Sequence, residues 1–170
     1  MLLLIAACTK SPAEAAYTKQ DTKIESFITA QLKAGTCDTV IYNQGVARLV
    51  IKKGSGAELG NRGLAKINYG LYDFTSGSIN KSYLVATNYE DLAAESQWST
   101  SDSGLFEPYI VDMRSDDILQ GLRYGLKGVQ PAEECYILFS GKHGFGKQKT
   151  GTIPANAPLA FHIWVLDVEN

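Results

Sequence analysis

The stretch GTIPANAPLAFHIWVLDVEN, Gly151 to Asn170, joins a rigid turn to a strand. Pro154 and Pro158 fix the backbone and remove two donors, so the first eight residues read as a loop. From Leu159 the pattern alternates. With Phe161 and Ile163 facing one way, His162 and Trp164 face the other. Solvated faces seldom carry a tryptophan in such a row, so this strand is expected inside a sheet with both faces covered.

Upstream, EECYILFSG (133–141) is a strand whose alternation puts Tyr136 and Leu138 on the same outer side as Trp164. SDDILQGLRYGLKGV (115–129) carries an apolar stripe of Ile118, Leu119, Leu122 and Leu126. Ser115 and the two Asp residues can cap a helix there, and Gly128 can end it. PYIVDM (108–113) reads as a strand, and so does LAKINYGLYDF (64–74), with Ala65, Ile67 and Tyr69 on one face. DTVIYNQGVARLVIKKGSG (38–56) reads as two strands about a turn at residues 43–45. Residues 76–107 are rich in Ser, Asn and Gly, with one helical segment in NYEDLAAESQW. Strands with one short helix between the last two long ones define an α+β domain.

Ile24, Phe27, Ile28 and Leu32 recur at helical spacing and predict a further helix over 21–35, ended by Gly35. That stripe is a candidate cover for the outer sheet face bearing Tyr136, Leu138, His162 and Trp164. A dimer through the same face is the rival.

Composition excludes several classes of function. The 170 residues carry a net charge of −2 and no long basic run, against a nucleic-acid partner. The segment 141–148, GKHGFGKQ, is one residue short of a nucleotide-binding phosphate loop. Gln148 stands where Ser or Thr must hold magnesium, and the Pro-containing sequence that follows cannot open a helix, so no nucleotide is expected. The two histidines, His143 and His162, have no metal-site spacing with Cys, Asp or Glu. No Ser/His/Asp or Cys/His constellation is present, and no metal or other cofactor is implied.

The N-terminus, MLLLIAACTKSPAEAA, places four large apolar residues before two alanines and Cys8. Ile5-Ala6-Ala7-Cys8 resembles a bacterial lipobox, in which a peptidase cuts before a cysteine that becomes lipidated. This reading makes 1–7 a lipoprotein signal peptide, Cys8 the lipidation site and 8–20 a polar tether, with a membrane as partner through Cys8. The leader has no Lys or Arg ahead of its short apolar core, which a start upstream of Met1 would explain. Location would then be the bacterial cell envelope, facing the periplasm or cell surface. An oxidising compartment permits a Cys37–Cys135 disulfide, although Cys135 in its strand reads better as a buried thiol.

The order of the C-terminal half is similar to that of the FKBP-type peptidyl-prolyl cis-trans isomerases. ILQGLRYGLKGV, HGFG and IPANAPLAFHIWVL stand in order where that family has V-I-x-G-W-x-x-G-L-x-x-M, A-Y-G and I-P-P-N-A-x-L-x-F-x-V-x-L. More weakly, AKINYGLYDFTSGSINKS (65–82) resembles V-x-V-H-Y-T-G-x-L-x-D-G-x-x-F-D-S. The resemblance covers about residues 40–170 and implies a curved antiparallel sheet wrapped around one short helix. The expected organisation is an FKBP-like domain over 36–170 preceded by the 21–35 helix. The loop at 83–104, with Tyr89 and Trp98, exceeds the family's needs. It is either a surface decoration or a lid or partner arm beside the pocket. The short segment HGFGKQKTGTIP leaves no room for the domain some relatives insert there.

The resemblance implies an apolar proline pocket. Tyr69 matches the tyrosine of H-Y-T-G, and Tyr109 a family aromatic. Ile118 and Leu119 match the pair at the helix start, and Ile153 and Phe161 the Ile of I-P-P and the Phe of the last strand. Three positions depart: Leu122 replaces the tryptophan of the pocket floor, Phe145 replaces the tyrosine of A-Y-G, and Ile79-Asn80 replaces F-D. Two functions follow as expectations. One is an isomerase assisting envelope protein folding, with proline-containing peptides or unfolded envelope proteins as partners. The other is a non-catalytic FKBP-fold module that binds a peptide or protein.

Overall fold

The computed structural model describes residues 11–170. In chain order its elements are α1 (Pro12–Ala34), β1 (Thr39–Asn43), β2 (Val46–Lys52), β3 (Leu64–Asp73), β4 (Leu84–Thr87), α2 (Glu90–Glu95), β5 (Tyr109–Asp112), α3 (Gln120–Leu126), β6 (Glu134–Phe139) and β7 (Leu159–Glu169). The expected leader 1–7 and Cys8 lie outside the described residues.

The strands form one antiparallel sheet in the order β1-β2-β6-β7-β3-β4, with β5 also pairing β3. β7 is internal: Phe161 pairs with Ile137 of β6 and with Leu71 of β3. The β1–β2 turn has Gln44 and Gly45 at φ 52° and 81°, a left-handed pair that matches the twist of a tight hairpin.

Alternation divides the core between two faces. Cys135, Ile137, Phe139, Phe161 and Ile163 join the cluster on the α3 side. Leu49, Phe74, Leu138 and Ala160 join Ile24 and Ile28 of α1 on the other. The N-terminal helix therefore docks on the outer face, through Ile24, Phe27 and Ile28. Phe27 meets Phe74 and Tyr136 edge-on, with ring centres 5.4 and 6.1 Å apart. Leu32 ends at the margin, 36% exposed. Cys37 and Cys135 are both free and buried, and no disulfide joins them.

Two helix starts differ from expectation. Residues 12–20, read as tether, are helical. Ser11 and Glu14 form a reciprocal capping box and Pro12 begins the first turn. These turns lack an apolar stripe, which hid them, yet their Ala, Glu, Lys and Gln residues are good helix formers. α3 begins only at Gln120. The Ser115 hydroxyl accepts from the Asp117 amide within a local turn, and Leu119 is extended at ψ 131°. Ile118 and Leu119 thus lead into the helix from outside it.

α3 seats closely because two glycines four residues apart face the sheet. A Cβ on Gly121 would lie 2.4 Å from the Phe139 ring, and one on Gly125 would lie 2.2 Å from Ile137. Its C-terminal carbonyls are met by buried Arg48, which donates to Gly125, Lys127 and Gly128 at 3.3, 2.8 and 3.4 Å. The Arg48 Nε lies 3.3 Å from Glu133, with both side chains about 5–6% exposed. Burial raises the Glu133 carboxyl and the Arg48 charge opposes that rise.

The expected 83–104 loop is more ordered than a loop. Its first residues form β4, which pairs with Gly70–Tyr72 of β3, while β5 pairs with Leu64–Ile67. Between them, buried Asn88 stands in for a strand. Its side chain accepts from the Tyr69 amide at 2.7 Å and donates to the carbonyls of Ile67 and Glu107 at 3.1 and 3.0 Å. That residue pins both ends of the excursion that carries α2.

Candidate substrate pocket

A cavity of about 200 Å³ opens on the α3 side of the sheet. β3 contributes Ile67, Tyr69 and Leu71, and β5 contributes Tyr109. The turn before α3 adds Asp117, Ile118 and Leu119, and the helix adds Leu122. Phe161 of β7 and Phe145 of the loop after β6 close it. The ring of Tyr69 sits between two others, with centres 6.2 Å from Tyr109 and 6.2 Å from Phe161. Phe161 stacks at 6.1 Å on Phe139 behind it, which fixes its plane. Phe161 and Leu122 are buried, whereas Tyr109 is 50% exposed at the mouth. Burial, with a smaller contribution from Tyr109, raises the Tyr69 hydroxyl's pKa, so it stays protonated and can donate a hydrogen bond.

The loop bearing Phe145 is held from the opposite side of the molecule. Asn156, at φ 57°, donates its amide to Gly146 at 2.6 Å. Tyr17 of α1 donates to the Asn156 side chain at 2.7 Å. Gln20 of α1 donates to the Asn156 carbonyl at 2.8 Å and accepts from the Gly141 amide at 2.9 Å. Gly141 is required there, because a Cβ would lie 2.1 Å from the Asn156 carbonyl oxygen. The polar turns of α1, which have no apolar stripe, thus brace the wall of the cavity.

Seven residues singled out in the sequence line this cavity: Tyr69, Tyr109, Ile118, Leu119, Leu122, Phe145 and Phe161. Three do not. Ile153, expected on the rim, is 2% exposed and sits in the core, turned inward by paired backbone bonds between Thr150 and Ile153. Ile79 and Asn80 lie on the α1 side. Phe74 carries the chain over that face, Ile79 packs with the cluster around Ile24, and the Asn80 side chain accepts from the Ser82 amide in a short 3-10 turn. Equal spacing in the motif misplaced them, because the chain crosses to the other face after β3. Ile67, Leu71 and Asp117 were missed. The first two flank Tyr69 at i±2 on one strand face, a signal that alternation carries. Asp117 is placed by the turn ahead of α3 and has no such signal.

The cavity offers aromatic and aliphatic walls, one carboxylate at its edge and phenol hydroxyls. It suits a small apolar ring attached to a polar chain.

The family model for the FKBP-type peptidyl-prolyl cis-trans isomerases matches residues 78–166. FK506-binding protein 1 of Aspergillus oryzae is 23% identical over 124 residues, covering 73% of this chain and 98% of that protein. Among solved structures, FkpA from Escherichia coli superposes with a TM-score of 0.59 at 17% identity, covering 92% of this chain and 62% of FkpA. This chain therefore spans less than two thirds of FkpA. A peptidyl-prolyl cis-trans isomerase from Pseudomonas syringae gives 0.59 at 15% identity, covering 95% of this chain and 99% of that one. The chain belongs to the FKBP-type peptidyl-prolyl cis-trans isomerase family.

Proposed function

We propose that this protein is a working peptidyl-prolyl isomerase, exported and lipid-anchored through Cys8, that acts on Xaa-Pro bonds of proteins in a bacterial envelope. The observation that carries the catalytic reading is the walled cavity of about 200 Å³ around Tyr69, Leu119, Leu122, Phe145 and Phe161. Rotation about an Xaa-Pro bond takes tens to hundreds of seconds unaided, because amide resonance resists twisting. No nucleophile is needed. Phe161, Leu122 and Phe145 grip the proline ring and exclude water from the amide. The twisted state has lost resonance and tolerates that dry setting better than the planar one does. Leu119 presents extended backbone to the peptide, and the protonated Tyr69 hydroxyl is a donor for a carbonyl. Neither Leu122 nor Phe145 contributes a hydrogen bond, so shape and desolvation carry most of the effect.

The anchoring part rests on Ile5-Ala6-Ala7-Cys8. Two residues separate Cys8 from the Ser11 cap, a reach of about 10 Å over three steps, so a lipidated Cys8 would hold the start of α1 close to the bilayer. In cells fed a palmitate analogue, label should enter the wild-type chain and not Cys8→Ser. Label in neither would remove the anchor.

Catalysis is tested by cis-trans exchange on a set of Xaa-Pro peptides with the Cys8→Ser chain. Turnover above background that falls in Phe145→Ala is the expected result. A folded chain with no turnover would leave a peptide-binding module on this fold.

A further inference from the structure

A second cavity lies on the opposite side of the sheet from the pocket. It is a groove of about 820 Å³ under α2. Its floor is aromatic. His162 and Trp164, two apart on β7, lie 3.8 Å apart between ring centres. Tyr136, paired with His162 across β6, is 4.5 Å from it. Tyr89 comes down from the start of α2 to within 4.6 Å of Trp164. The excursion carrying Tyr89 is seated for this purpose: Leu92 fills the notch at Gly70, where a Cβ would lie 2.5 Å from it. Asn88 pins the same excursion to β3.

The rim is acidic. Asp91 and Glu95, four residues apart on α2, both line the groove and are exposed. At the floor, Glu134 accepts a hydrogen bond from the His162 Nε2 at 2.8 Å. Among the described residues that line the groove one is a lysine, Lys81, whose Nζ donates to the Glu95 carbonyl at 2.8 Å and lies 3.8 Å from its carboxylate. The carboxylates outnumber it. Aromatic faces attract cations through their quadrupole, and a flat guanidinium can stack on them while its fork meets a carboxylate.

We infer that this groove is a second polypeptide-binding site, one that takes an arginine side chain of an extended chain over the rings of Tyr89 and Trp164, with its guanidinium on the carboxylates of Asp91 and Glu95. It uses no residue of the proline pocket. Lys81 is its built-in competitor, holding Glu95 when no peptide is bound.

The test is an NMR titration of the protein with a proline-free arginine peptide at low salt, read at the two tryptophan indoles. Trp164 should shift saturably while Trp98, which lies outside the groove, stays still. Asp91→Asn with Glu95→Gln should weaken binding about three- to fivefold, and Lys81→Gln should tighten it by a smaller factor. These groups are surface-exposed, so folding is kept. Phe145→Ala should leave the affinity unchanged, which separates this site from the pocket. The inference is overturned by a Trp164 that does not move, by an acidic peptide that binds as well, or by affinity indifferent to the Asp91/Glu95 change. It is also overturned if Trp164 shifts with protein concentration alone, since the groove would then bind a second copy.

Discussion

On the α3 side of β6, Cys135, Ile137 and Phe139 meet a helix of 7 residues; on the α1 side, Tyr136 and Leu138 meet one of 23. The short helix approaches through two glycines, so its backbone lies almost on the sheet, and its end is held by Arg48. The turn ahead of it borders a cavity walled by rings. The long helix approaches through Ile24, Phe27 and Ile28, which pack against the sheet. Beyond its reach, a groove opens under α2 instead. The same strands therefore serve a confined apolar site on one face and an open, acid-rimmed one on the other. What decides the difference is how closely each cover can approach.

Breaking the α3 anchorage should cost most. Arg48→Met leaves the Glu133 carboxylate buried without its partner and frees three carbonyls. It should lower stability by about 3–5 kcal/mol in denaturant unfolding, and Arg48→Met with Glu133→Gln should recover much of the loss. On the other face, Ile28→Ala opens a hole beneath α1 and should cost about 2–5 kcal/mol. The fraction still folded should bind proline peptides as well as wild type. Phe145→Ala should do the reverse, lowering catalysed exchange about tenfold or more with a small change in unfolding midpoint. A variant that moved both quantities together would dissolve the distinction between the faces.

Gln20→Ala probes a link between them. It removes two hydrogen bonds to the loop of Phe145, so about 1–2 kcal/mol of stability should go, with exchange reduced severalfold. If exchange is untouched, α1 does not brace the pocket. The smallest effect is on pH. Burial lowers the pKa of both His162 and His143; the Glu134 hydrogen bond opposes the shift at His162. The unfolded chain then binds protons the folded chain refuses. Stability should be full above about pH 6.5 and decline as the pH falls through the folded values. Unfolding midpoints from pH 7.5 downward measure this, and His162→Gln should flatten part of the slope.

Much of the architecture was legible because alternation and helical spacing are local. Tyr136, Leu138, His162 and Trp164 declared an outer face, and Ile24, Phe27 and Ile28 declared the cover of its Tyr136 and Leu138 part, while His162 and Trp164 line the open groove. Cavity residues on regular elements, such as Tyr69 and Phe161, could be placed by strand period. The start of α1 was obscured because its first turns bond to Asn156 through polar side chains, which leave no periodic trace. Ile79 and Asn80 were misplaced because a motif counts residues and cannot register a chain that changes face. Arg48 and Glu133 sit in strand patterns where nothing local says that a buried cation will cap a distant helix. Asn88 acts as a strand residue with its side chain, which no backbone propensity records.

We propose that proline-containing peptide is both bound and isomerised on the α3 face. A titration with a short Xaa-Pro peptide, followed by backbone amide shifts and by exchange between the peptide's cis and trans signals, tests it most directly. The expected result is shifts at Tyr69, Leu119 and Phe145, with accelerated exchange that weakens in Phe145→Ala. Shifts confined to the α1 face, or binding on the α3 face without any acceleration, would contradict it.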